Sequence, residues 1–87
     1  MSEEDSTMQF FTNLDRKGIE AKLREARAMA ESGKFTAVAG LLSGTDGKSR
    51  ADLEQCVKQS LSALADTPGS RVLVSNLEMI QVNLANL

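Results

Sequence analysis

Five apolar residues, Leu73, Leu77, Ile80, Leu84 and Leu87, are spaced four, three, four and three apart. That spacing puts all five on one side of an α-helix as an a/d seam, whereas a half-buried strand needs alternation with period two. Val72, Val74 and Val82 raise β propensity, and Val72-Leu73-Val74 alone would suit a short strand. The seam is sustained over 15 residues and predicts a helix from about Ser70 to Leu87. Val72, Met79 and Val82 lie to either side of it, so the apolar arc is wider than the seam. Asn76 and Asn83, seven apart, border the seam and either fix its register or mark its edge.

The rest of the chain has the same period. Ile19, Leu23, Ala26 and Ala30 share a helical face, and Glu20 and Arg24 form an i,i+4 pair in the favoured order. These predict a helix over 19–32, starting either before Gly18 or just after it, with Gly33 as a left-handed cap. Phe35, Val38 and Leu42, extended by Ala37 and Leu41, predict a short second helix over 34–43. The brief connection between the two favours an antiparallel hairpin. Ser43 to Ser49 is a Gly-rich loop. Ser49 then offers an N-cap with Asp52 three residues on, opening a helix over 50–65 whose face is Leu53, Cys56, Val57, Leu61 and Leu64. Asp66-Thr67-Pro68-Gly69 is a turn in which Thr67 can cap and Pro68 can stand at the first helical position.

The expected fold is therefore all-α, a small antiparallel bundle of three or four helices made of two helical hairpins joined by a Gly-rich loop. Residues 1–7 are expected to be a disordered acidic tail, and residues 8–87 a single helical domain. A chain of 87 residues is one small domain. At that size folding buries only about 60% of the surface the unfolded chain exposes, and such chains often find further burial against a partner.

Composition removes several classes of function. There is no histidine, which excludes a histidine-based triad, a histidine metal site and a histidine pH switch. A single cysteine, Cys56, excludes an internal disulfide and a multi-cysteine zinc site. Net charge is −2, with basic residues diluted among acidic ones, and no Tyr or Trp joins the three Phe residues. A nucleic-acid partner would need a basic stripe, with stacking aromatics for single strands, so none is expected. No apolar run approaches the roughly 18 residues of a membrane span. The opening Met-Ser-Glu-Glu-Asp lacks a basic, then apolar leader, and the lone thiol suits a reducing compartment, so the expected location is cytoplasmic.

The local motifs are weak. Gly44-Thr45-Asp46-Gly47-Lys48-Ser49 ends like a phosphate-binding loop, but Leu42 stands where that pattern needs glycine, and a helix precedes it instead of a strand. Cys56 reads as a core residue, with Lys48 and Lys58 expected to point away from it. No pair of carboxylates is marked for acid–base work, and Glu3-Glu4-Asp5 would hold a hard cation only weakly. No catalytic residue, metal or cofactor is expected. Met8, Phe10 and Phe11 either cover one end of the core or form an exposed apolar hook.

The segment from Lys22 to Leu42, with Ala26, Ala30, Gly33, Phe35, Val38 and Leu42, resembles a tetratricopeptide-type helical hairpin: small residues between two antiparallel helices, glycine at the turn and an aromatic two residues on. It departs from that pattern at Val38, where alanine is expected, and no second repeat follows.

The function expected from these features is a non-catalytic protein–protein interaction module, such as an adaptor, small chaperone or regulator. Its partner-binding residues would be Leu73, Leu77, Ile80, Leu84 and Leu87, with Phe10 and Phe11 as the hook. The alternative is a structural subunit that binds copies of itself through the same seam, as in a small helical component of a secretion apparatus or other assembly.

Overall fold

The computed structural model describes residues 14–87. They form four helices: α1 (Arg16–Ser32), α2 (Thr36–Leu41), α3 (Arg50–Leu64) and α4 (Arg71–Ala85). No strand occurs among the described residues, and positions 72–74 lie in the first turn of α4. The expectations for residues 1–7 and for Met8, Phe10 and Phe11 fall outside the described residues.

Helix α1 starts before Gly18. The Asp15 side chain accepts a hydrogen bond of 2.8 Å from the Gly18 N–H, which has no partner within the helix at that position. A cap contributes about 0.5–2 kcal/mol, enough to offset the roughly 1 kcal/mol a helical glycine costs. Leu14 and Ile19 occupy the two positions of a hydrophobic staple; Ile19 belongs to the core and the partly buried Leu14 packs against it.

The α1–α2 turn differs from expectation in one residue. Gly33 has helical backbone angles (φ −83°), and Lys34 takes the left-handed conformation with φ 64°. The Phe35 N–H donates to the Ala30 carbonyl at 2.8 Å and the Lys34 N–H to the Glu31 carbonyl at 3.2 Å. These are the two bonds of a Schellman cap, with Lys34 at the position glycine usually holds.

The second hairpin holds two further corrections. Ser49 caps α3 as its sequence suggests, accepting from the Asp52 N–H at 3.2 Å. The buried face of α3, however, is Leu53, Val57, Ser60 and Leu64, with Leu61 and Cys56 only partly covered. Ser60 can be buried because its hydroxyl donates to the Cys56 carbonyl at 2.8 Å. Helix α4 begins at Arg71 and not at Pro68. Pro68 followed by Gly69 with φ 78° is the order a type II turn uses, and the positive φ keeps the helix from starting there. Thr67 and Ser70 turn their hydroxyls back to the Ala63 and Thr67 carbonyls instead of capping α4.

Helix α1 packs on α2 and α4, and α3 packs on α2 and α4, so the helices close a ring in chain order. Asn83 ties the ends of the ring together. Its Oδ1 accepts from the Leu14 N–H at 2.9 Å and its Nδ2 donates to the Met79 carbonyl at 2.8 Å. The Leu14–Asn83 and Met29–Asn76 contacts, with sequence order reversed between them, make α1 and α4 antiparallel. Leu73, Leu77, Ile80 and Leu84 all point into this ring with at most 3% of their surface exposed. Each such burial stabilises the fold by about 1.5–3 kcal/mol.

Candidate protein interaction surface

Four of the five seam residues expected to bind a partner lie in the core. Leu73, Leu77, Ile80 and Leu84 are the α4 share of the core and present nothing to a partner in the folded domain. Leu87 lies beyond the end of α4 and is 44% exposed, so the fifth seam position does not join the other four. Phe10 and Phe11 lie outside the described residues.

What α4 does expose is the neighbouring stripe. Val72 is 70% exposed and Val82 48% exposed, with Met79 half-buried between them. Ten residues of helix separate the two valines, about 15 Å at 1.5 Å per residue. Antiparallel packing sets α1 alongside, and the two helices enclose an open groove of about 760 Å³. Its floor is Met29 from α1 and Val72, Met79 and Val82 from α4, with Ser75 and Asn76 among them. Asn76 donates weakly to the Met29 sulfur at 3.6 Å, holding that flexible side chain at the groove wall.

The groove runs on into a second, shallow hollow of about 490 Å³ that shares Glu25, Met29 and Val72 with it and is lined further by Gly33, Phe35 and Gly69. The charges along it are balanced. Lys22 and Glu25 pair at 3.3 Å on the α1 side, while Arg71 and Glu78 stand on the α4 side. An apolar floor with a charged rim is the anatomy of a protein docking site. The sequence shows half of it: Val72, Met79 and Val82 widen the α4 arc, but Met29 falls beside the clear stripe of α1 and signals nothing until the two helices are paired.

The Gly-rich loop forms no phosphate cradle. Glu20 accepts from the Gly47 N–H at 3.2 Å, Arg16 donates to the Lys48 carbonyl, and Arg24 pairs with Asp46 at 2.8 Å. An anionic carboxylate thus occupies a backbone donor that a phosphate would need. The Gly47 N–H, followed by the Arg16 hydrogen bond and the charges of Arg16 and Arg24, holds the Glu20 carboxyl below the usual glutamate range against the opposing effect of its burial. The loop is a strap fastened along the polar face of α1.

Cys56 also departs from expectation. It is half-buried, and the Lys48 ammonium lies 3.9 Å from its sulfur because the strap brings residue 48 back against α3. Among the described residues no group of three or more Cys, Asp or Glu side chains is placed to hold a metal ion. None of the described helices is long and apolar enough to cross a membrane. No protein-family model matches the chain, and neither a curated protein nor a solved structure matches it.

Proposed function

We propose that the protein is a non-catalytic interaction module, an adaptor, small chaperone or regulator, whose groove between α1 and α4 receives an apolar helix face of another protein or of a second copy of itself. The observation that carries this reading is the exposure of Val72 and Val82 on a helix whose opposite side already fills the core. Folding leaves that stripe uncovered, and covering apolar surface favours association by about 25 cal/mol per Å² before the costs of association are met. The methionines suit the role, since unbranched thioether side chains adapt to the shape laid on them. The absence of histidine, the commonest general acid and base, supports a non-catalytic role. A cytoplasmic setting agrees with the unpaired thiol of Cys56.

The test is affinity capture from extract of the source organism with the natural chain and with the double variant Val72→Glu/Val82→Glu. Both positions are exposed, so the variant is expected to keep its helices and to melt close to the natural chain. A protein retained by the natural chain and lost by the variant supports the reading. Identical retention by both removes it.

A further inference from the structure

We propose that the occupant of the α1–α4 groove is the same groove of a second copy of this chain, with the two α4 helices antiparallel about a two-fold axis at Ser75. The inference rests on the reading of the groove as a docking surface and names its partner.

Steric complementarity is the first argument. In an antiparallel pair centred near residues 75 and 76, positions on the two α4 helices face each other when their numbers sum to about 151. Ser75 then falls at the crossing, where a small side chain lets two helices approach closely. Val72 of each copy meets Met79 of the other. Val82 of each copy meets Gly69 of the other, at the shallow hollow lined by Gly33, Phe35 and Gly69. The exposed knob at one end of the groove is thus matched by a hole at its other end, which is what an isologous contact requires.

Charge complementarity is the second. Two-fold symmetry with antiparallel helices sets each flank of the groove against the same flank of the other copy. Arg71 and Glu78 lie seven residues apart on one flank, and neither forms an ion pair among the described residues. Their numbers sum to 149, so Arg71 of each copy comes opposite Glu78 of the other. Arg71 is also the first residue of α4, a helix with no acidic residue in its first turn and no side-chain cap. A carboxylate brought there from outside is favoured by both the guanidinium and the positive helix end. On the other flank Lys22 and Glu25 already pair with each other at 3.3 Å within each copy. The four rim charges cancel, so a strongly acidic or strongly basic partner gains nothing here, whereas a second copy pairs Arg71 with Glu78 at both contacts.

The experiment is sedimentation equilibrium of the full chain from about 1 μM to about 1 mM, the range in which a small interface associates. It compares the natural chain, Arg71→Glu, Glu78→Arg and an equimolar mixture of those two variants. The natural chain is expected to dimerise. Arg71→Glu carries two carboxylates on this flank and Glu78→Arg two guanidinium groups, so each alone self-associates at least about tenfold more weakly. Mixing them restores opposite signs at both contacts, and the mixture is expected to dimerise within about threefold of the natural affinity.

A natural chain that stays monomeric throughout overturns the proposal, as does a mixture no tighter than its components. Contacts from Phe10 or Phe11 to Val82 within a monomer, read as nuclear Overhauser effects, also overturn it. If the natural chain is monomeric while capture of another protein still depends on Val72 and Val82, the groove reading stands and only the second copy is lost. If neither a dimer nor a groove-dependent partner is found, both readings go.

Discussion

A Cβ placed on Gly33 would lie 2.6 Å from Cε2 of Phe35 and 3.0 Å from its Cδ2. Residue 33 is therefore glycine for space, because the Phe35 ring lies against its backbone, while the backbone freedom of the turn is used one residue later at Lys34. Gly33→Ala pits two effects against each other. Alanine gains up to about 1 kcal/mol in helical propensity, and displacing a packed ring costs about 1–3 kcal/mol. The displaced ring wins, and the expected net loss is about 1 kcal/mol by urea unfolding. In a Phe35→Leu background the ring is gone, and the same alanine substitution is expected to be neutral or stabilising. A full loss in that background would show that the ring is not the cause.

Lys34→Gly is expected to stabilise the domain. A residue with a Cβ pays about 1–2 kcal/mol in the left-handed region, and glycine returns about 0.5–1 kcal/mol of that through its larger unfolded-state entropy. The net gain is about 0.5–1 kcal/mol, read as a melting temperature higher by about 3–6 °C. Lys34→Ala keeps the Cβ and should leave the melting point unchanged.

Asn83 is 1% exposed and ties α4 to the chain entering α1. Asn83→Leu keeps the volume but strips the Leu14 N–H of its acceptor, which costs about 1–3 kcal/mol. Chemical denaturation measures the loss, and amide exchange at Leu14 locates it: protection there should fall while protection in the middle of α3 follows only the global change.

The all-α architecture and the positions of all four helices were legible in the sequence because Ile19, Leu23, Ala26 and Ala30, and likewise Leu73, Leu77, Ile80 and Leu84, keep helical spacing over several turns. Ser49 was legible because its cap is local. The capping at Lys34 was not, since glycine at 33 is the usual sign of a left-handed residue, and here that glycine instead leaves room for the Phe35 ring. Ser60 was hidden because a serine's burial depends on a carbonyl one turn back. The seam also did not mark the exposed side of α4. An apolar stripe states that something covers it, and only the packing of α1 and α3 shows that the cover comes from the chain itself and that Val72 and Val82 are left outside.

Stability should fall in acid in part through Glu20. Its folded-state pKa lies below the reference value of 4.5, chiefly through the Gly47 N–H. A lowered folded value means that the carboxylate form favours the folded state, so the contribution is complete above the unfolded pKa and is lost as pH falls through the folded one. Urea unfolding between neutral pH and pH values below that reference should show this loss. Glu20→Gln, which cannot ionise, should show a shallower decline over the same range and more rapid amide exchange at Gly47. An identical slope in both proteins would mean that the strap contributes nothing to the acid response.

The two sides of α4 should respond oppositely to added charge. Leu84 is fully buried, so Leu84→Asp places a carboxylate in the core, and the cost exceeds what a domain with about 5 kcal/mol of stability tolerates. That variant is expected to unfold, and any partner it loses is lost with the fold. Val72→Glu instead sets a carboxylate in the first turn of α4, where the helix end favours it, and Val82→Glu sets one on an exposed position. The double variant should melt within about 3 °C of the natural chain, the scatter expected of exposed substitutions. Far-ultraviolet circular dichroism separates the two cases before any binding experiment. Loss of helix in Val72→Glu/Val82→Glu would mean that this stripe supports the fold, and the groove could then not be what folding leaves over for a partner.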